Sequence, residues 1–246
     1  MAQFHIGIPW AYSVEAGFGV LLNNPGDGTV NISVSGAMDW QLVAQQQLDF
    51  WITTTATATP DAATSSRVVG GAATIYKQYA DAVGHAPPLP AYAALFWQCR
   101  LRYRTAKIAQ DIAAGYQQRN LSLGVLVVDF MNQATDGDMH MNPKCYGTGR
   151  EITDWVKNIS TMGGGQTRTM LSFWPDIRSD SDGFSALNAA GCVHDGTVDP
   201  TSKHCRDLIW QNYVKPNYVD HGIMDFWLDE DDMVRTTQRK SVATGA

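Results

Sequence analysis

The sequence has no apolar run of membrane-spanning length, no extended basic cluster and no CxxC-spaced cysteines, and each absence removes a class of function. A transmembrane helix needs about 20 consecutive apolar residues, and the apolar stretches here are interrupted every few residues. Eighteen Lys and Arg face 24 Asp and Glu, a formal net charge of −6, with no basic stretch threaded by aromatics on the scale of a nucleic-acid surface. Cys99, Cys145, Cys192 and Cys205 show no CxxC spacing. Neither a zinc site nor a disulfide framework is therefore expected, and buried thiols are the default. Met1-Ala2-Gln3-Phe4-His5 lacks the charged region and apolar core of a signal peptide. The expectation is a soluble chain with no nucleic-acid or membrane partner, its compartment left open and cytoplasmic only by default. Without a signal peptide the sequons at Asn31, Asn120 and Asn158 decide nothing.

What is present is a core-forming chain of 246 residues, 44% hydrophobic, enough for one large or two modest domains. Its first part reads as β. Gly19–Leu22, Val30–Val34 and Leu48–Thr53 are short apolar or alternating runs separated by turn chemistry such as Asn24-Pro25-Gly26-Asp27-Gly28. The Thr/Ala/Ser-rich stretch Thr53–Ser66 reads as an exposed loop. Ala72–Val83 follows as a helix with Ile75, Tyr79 and Val83 on one face, stopped by Gly84. Pro87-Pro88-Leu89-Pro90 stiffens the chain, placing a boundary between a domain at 1–86 and one at 87–246.

Beyond that link, strands and helices alternate. Leu95–Cys99 is the first expected strand. Thr105 caps a helix carrying Ile108, Ile112 and Tyr116. Val125-Leu126-Val127-Val128 is the β-branched run of a parallel strand buried on both faces. A helix over Glu151–Met162 presents Ile152, Trp155, Val156 and Ile159 before Gly163-Gly164-Gly165 ends it. Thr169–Trp174 is a strand, Lys203–Lys215 a helix closed by Pro216, and Ile223–Leu228 a fourth strand. Repeated strand–helix units predict a parallel sheet, either doubly wound or a (β/α) barrel. No glycine-rich phosphate loop follows the first strand, and three strands end in Asp129, Trp174-Pro175-Asp176 and Asp229. In a barrel all such strand ends converge on one face. Four strands are half of the eight that a closed barrel uses.

The last strand runs into acid: Ile223-Met224-Asp225-Phe226-Trp227-Leu228-Asp229-Glu230-Asp231-Asp232. Side chains alternate along a strand, so Trp227 and Asp229 share one face while Phe226 and Leu228 take the other. A carboxylate at a strand end beside an indole suits attack on an anomeric carbon, with the indole packed on the sugar's apolar face. The bland alternative is a solvated acidic loop.

Seven segments in order resemble family 31 of the glycoside hydrolases, and within it the α-xylosidase and α-glucosidase-like members. They are Gly17–Pro25 with Leu48–Ile52, Tyr79–Pro87, Phe96-Trp97-Gln98-Cys99-Arg100-Leu101-Arg102-Tyr103-Arg104-Thr105, Val127-Val128-Asp129-Phe130 with Ser172-Phe173-Trp174-Pro175, and Phe226-Trp227-Leu228-Asp229. The resemblance implies an N-terminal β-sandwich portion followed by the first half of a (β/α)8 TIM barrel. It also implies a retaining α-glycosidase acting on an oligosaccharide or α-glycoside with a terminal α-linked sugar, and needing no metal or cofactor. In the family's pattern Asp229 matches the nucleophile and Asp129 a carboxylate that binds sugar hydroxyls. Trp227 matches a residue lining that subsite, while Trp97 and Trp174 match strand-end aromatics. Arg102 and Arg104 either orient the loop above the site or pair structurally with carboxylates. A retaining mechanism needs a second carboxyl group roughly 5 Å from the first, and the family supplies it from a later barrel segment, beyond Ala246.

The chain departs from the family at Met131-Asn132-Gln133 and Gly137-Asp138-Met139, where aromatics are usual, at Asp232 in place of the usual Glu, and from Met233 onward. The resemblance therefore implies a fragment lacking its general acid, which would self-associate or pair with a missing C-terminal half. Two other readings stand beside it. One is a noncatalytic carbohydrate-binding or scaffold remnant. The other is a metal-dependent glycosyltransferase using Asp229-Glu230-Asp231 as a DxD motif.

Overall fold

A computed structural model describes residues 8–14, 16–24, 28–42, 47–55 and 70–229. Most of the expected Thr53–Ser66 loop lies outside the described residues, as do Glu230, Asp231, Asp232 and the tail from Met233. The chain divides into two compact units, Met1–Pro88 and Leu89–Ala246.

In the first unit β1 (Trp10–Ser13), β2 (Phe18–Leu22), β3 (Gly28–Ile32), β4 (Met38–Leu42) and β5 (Phe50–Thr54) precede α1 (Gly70–Val83). Strands β1, β2 and β5 form an antiparallel sheet with β2 in the middle, and β3 pairs with β4 alone. The sheet's core is built around Trp10, whose ring centroid lies 4.7 Å from Tyr79 and 6.1 Å from Trp51. A Cβ at position 19 would stand 2.5 Å from the Trp10 indole and 2.8 Å from Ile75, so the glycine there permits the close approach. Of the three residues expected on the buried face of α1, Ile75 is fully buried, Tyr79 is half-buried and Val83 is exposed near the helix end.

The second unit holds β6 (Trp97–Gln98), α2 (Ala106–Gln118), β7 (Val125–Val128), α3 (Pro143–Tyr146), α4 (Arg150–Met162) and β8 (Arg168–Phe173). Then follow α5 (Phe184–Ala189), β9 (Val193–His194), β10 (Thr197–Val198), α6 (Lys203–Ile209), α7 (Lys215–Asn217) and β11 (Asp225–Leu228). Strands β6, β7, β8 and β11 lie side by side in chain order, all parallel. Sequential parallel order with helical connections is the arrangement of consecutive barrel strands.

Packing fixes which way each side chain points. Leu126, Val128 and Leu171 are buried, with Phe173 and Phe226 beside them, against Ala109, Ala113, Ile152, Trp155, Val156 and Ile159 of α2 and α4. That assigns one sheet face to the helices. The alternate residues, Val125, Val127 and Asp129, Met170, Ser172 and Trp174, and Asp225, Trp227 and Asp229, take the inner face. At the N-terminal end of the strands this face carries a polar knot. Arg168 pairs with Asp225 at 2.9 Å, and the Tyr92 hydroxyl donates to the same carboxylate at 2.9 Å, which raises the tyrosine pKa. Gly124 lets the chain pass there, since a Cβ would lie 2.1 Å from the Tyr92 carbonyl oxygen.

Three expectations need correction. Thr105 does cap α2, accepting from the Ile108 N–H, but the buried stripe runs through Ala109 and Ala113 with Ile112 and Tyr116 alongside, and Ile108 faces outward at 36% exposure. Small residues let the helix sit close to the sheet, which turns the bulky Ile108 to the rim. Pro216 does not end the helix. A π turn, Trp210–Val214, widens the backbone before it, with the Lys215 N–H bonded to the Trp210 carbonyl, and the helix resumes through Asn217. Cys192 and Cys205 are not free thiols but a disulfide, spanning a separation of 13 residues. The β9–β10 hairpin brings them together within a small satellite core with Met139, Ile177 and Leu187, a proximity that linear spacing does not encode. Cys99 and Cys145 remain free.

Two outcomes follow for stability. Ile159→Ala, at a fully buried position, lowers unfolding free energy by about 2–5 kcal/mol in a urea titration, whereas Ile108→Ala shifts it by less than about 1 kcal/mol. Thiol titration of the denatured, unreduced chain yields two free thiols, rising to four after reduction; four before reduction would refute the disulfide.

Candidate active site

Strand register places the strand-end residues in two rows. Val128 pairs with Leu171 and Trp227 with Ser172, so Asp129, Ser172 and Trp227 lie in one row across β7, β8 and β11. Leu228 pairs with Phe173, and the Asp229 N–H continues the ladder to the Phe173 carbonyl at 3.1 Å, setting Asp229 beside Trp174 in the row above. Asp129, Trp227, Trp174 and Asp229 are thus brought to one edge of the sheet. Trp97 is not in that group. It pairs with Val125, four residues before Asp129, and its indole N–H donates to Ala93 at 3.1 Å.

Asp129 is 8% exposed and held on both oxygens. Oδ1 accepts from the Phe130 N–H at 2.7 Å, and Oδ2 from the Cys99 thiol at 3.4 Å. Each carboxylate oxygen offers about two acceptor sites, so the group keeps acceptor capacity for further donors. Asp229 is half-buried and Trp227 is 40% exposed. Phe130 stacks on Trp174 with centroids 5.4 Å apart and planes 13° from parallel, and Arg102 lies over the Phe130 ring at 5.7 Å. Arg102 also donates to the Met131 sulfur. Its role is thus attachment to the aromatic stack after β7, while Arg104 is exposed.

Two buried polar atoms at this edge, Ser172 Oγ and Trp174 Nε1, have no hydrogen-bond partner among the described residues. Both are sealed from solvent, and leaving such a group unsatisfied costs about 1–3 kcal/mol. Ser172 and Cys99 were missed by sequence reasoning. A serine inside the apolar run Met170-Leu171-Ser172-Phe173 is the signal that could have found the first. Nothing local pointed to the second.

The loop that follows Asp129 is tied down across the sheet. Asn132 donates to the Ser172 carbonyl at 2.9 Å, Asp138 accepts from the N–H groups of Thr135 and Asp182, and Asn217 donates to the Met139 carbonyl at 2.8 Å. His140 joins this loop to the one after β8, with Nε2 3.0 Å from Asp182 and Nδ1 3.0 Å from the Met141 carbonyl. Burial opposes its charge, but the Met141 carbonyl and the Asp182 and Asp138 carboxylates outweigh burial and raise its pKa. A raised folded value means the link stabilises fully below the unfolded pKa of about 6.5 and fades as pH rises through the folded value. His140→Gln is accordingly most destabilising near pH 6, and its difference from wild type narrows at higher pH in parallel denaturation curves. A difference that grows with pH would contradict this.

With the geometry in hand, comparison with known proteins is direct. The family pattern described as "Glycosyl hydrolases family 31 TIM-barrel domain" matches residues 86–245. The uncharacterized family 31 glucosidase ORF2 of Pseudescherichia vulneris is 31% identical over 238 residues, 91% of this chain and 41% of that protein. Alpha-xylosidase A of Aspergillus niger is 25% identical over 217 residues, covering 80% of this chain and 29% of the relative. The crystal structure of a family 31 alpha-xylosidase from a soil metagenome, complexed with xylose, superposes with a TM-score of 0.75 at 29% identity, over 95% of this chain and 33% of that one. The chain therefore spans less than half the length of the curated relatives it matches. Its strands, their order and the span of the match agree: the chain belongs to family 31 of the glycosyl hydrolases.

Proposed function

We propose that this chain carries the sugar-binding half of a retaining α-glycosidase site of α-xylosidase or α-glucosidase type. The observation that supports it is the pair of strand-end rows, with Asp129 beside Ser172 and Trp227 and with Asp229 beside Trp174. In this reading a carboxylate oxygen of Asp229 attacks the anomeric carbon as the bond to the leaving oxygen breaks, forming a glycosyl-enzyme ester that water then hydrolyses. Asp129 accepts hydrogen bonds from hydroxyls of the sugar being transferred. Trp227 packs on its apolar face and Trp174 walls the pocket. Trp97 is given a packing role below them. The acid that protonates the leaving oxygen is assigned to a segment outside the 246 residues, as is the rest of the barrel that would cover the inner face. Residues 1–86 are read as part of a β-sandwich and the barrel as beginning at residue 87. The similarity to proteins named as α-xylosidases favours xylosides as the first substrates to try.

An α-xylosyl or α-glucosyl fluoride deactivated by a second ring fluorine tests the nucleophile without a general acid, since fluoride leaves unprotonated. The chain should gain the mass of one glycosyl group on the peptide containing Asp229, and Asp229→Ala should gain none. Labelling that persists in Asp229→Ala, or maps to another carboxylate, overturns the assignment.

A further inference from the structure

Cys99 is one of two free cysteines, and it sits at the C-terminal end of β6 on the inner face, in hydrogen-bond contact with Asp129. Its backbone is held firmly. The Gln98 side-chain amide donates to the Cys99 carbonyl at 3.0 Å and to the Tyr103 hydroxyl at 2.9 Å, and accepts from the Tyr116 hydroxyl at 2.5 Å. Tyr103 is fully buried, its carbonyl accepts from the Tyr146 hydroxyl, and the Tyr146 carbonyl in turn accepts from Trp155 Nε1 at 3.1 Å. A chain of hydrogen bonds from α4 through α3 thus fixes the position from which the thiol reaches the carboxylate.

From this geometry we infer that Cys99, a residue at the pocket edge, is a positioning residue for Asp129, holding the carboxylate in one orientation toward the pocket. The inference rests on the reading of Asp129 as a sugar ligand. The carboxylate has two anchors of different kinds. The Phe130 N–H belongs to the next residue and follows Asp129 wherever it goes, whereas the thiol comes from a separate strand and sets the side-chain rotation relative to the sheet. Burial, and then the Asp129 carboxylate, push the thiol's pKa up to about 11, so at neutral pH Cys99 is a protonated donor. Burial and this contact together make the thiol a slow nucleophile, because the thiolate is the reactive form. A change in its reactivity when the carboxylate alone is removed reports the bond to Asp129.

The test uses N-ethylmaleimide on the full chain with labelling mapped by mass, Cys145 serving as the internal reference. In Asp129→Asn the loss of the carboxylate should raise the thiolate fraction and speed alkylation of Cys99 by well over twofold at pH 8, with the Cys145 rate unchanged. A Cys99 rate within twofold of wild type overturns the inference and leaves the sugar reading of Asp129 standing. In parallel, tryptophan fluorescence is titrated with xylose and glucose. Cys99→Ala should weaken sugar binding about fivefold to tenfold, and Cys99→Ser, which keeps a hydroxyl donor, should restore most of it. Equal weakening in the two variants, or none in either, overturns the positioning role. If neither sugar perturbs the wild-type signal, the sugar reading falls and the inference with it, whatever the thiol rates.

Discussion

The pleat of the parallel sheet governs both the core and the candidate site. Leu126, Val128 and Leu171 bury against α2 and α4, and each fully buried aliphatic side chain contributes about 1.5–3 kcal/mol. Because side chains alternate, committing these residues to the helices commits Asp129, Ser172 and Trp227 to the opposite face. A slip of one residue in β7 would put Asp129 under the helices and turn Leu126 toward the pocket. Apolar packing on one side is thus what aims the chemistry on the other.

A second constraint acts along the motif Trp97-Gln98-Cys99-Arg100-Leu101-Arg102-Tyr103. Its polar side chains divide between two tasks. Gln98 and Tyr103 point toward the helices and satisfy one another there, where an unpaired buried amide or hydroxyl would be costly. Cys99 and Arg102 reach the residues just after β7. The segment is best understood as a bracket joining the helical layer to the strand-end layer, which accounts for its density of hydrogen-bonding residues in so short a strand.

The elements most legible in the sequence were those whose signal is local. Val125–Val128 read as a doubly buried strand because four β-branched or aliphatic residues in a row leave no solvent face, and all four are buried. The buried face of α4 was legible because Ile152, Trp155, Val156 and Ile159 keep helical spacing, and the Thr105 cap because a hydroxyl immediately precedes the helix. The face of α2 was misjudged because periodicity weighs large residues, while close helix–sheet contact selected Ala109 and Ala113. The Cys192–Cys205 bond and the Cys99–Asp129 contact were illegible for a common reason: each joins residues brought together only by the fold, the latter 30 positions apart. The strand-end residues Asp129 and Asp229 were named from a resemblance, and their register rests on the ladder that only the structure displays.

The π turn at Trp210–Val214 bears on how this part of the chain tolerates length change. A π turn holds one residue more than an α turn in nearly the same rise, so everything C-terminal to it is rotated by roughly 100° relative to an unbroken α-helix. Asn217 lies downstream and donates to the Met139 carbonyl. Removing one residue from the π turn would therefore regularise the helix and leave Asn217 in the same phase, still facing that carbonyl. The irregular turn thus acts as a phase adjuster: it absorbs an extra residue locally, so the tether on the loop that follows Asp129 would survive a one-residue deletion there.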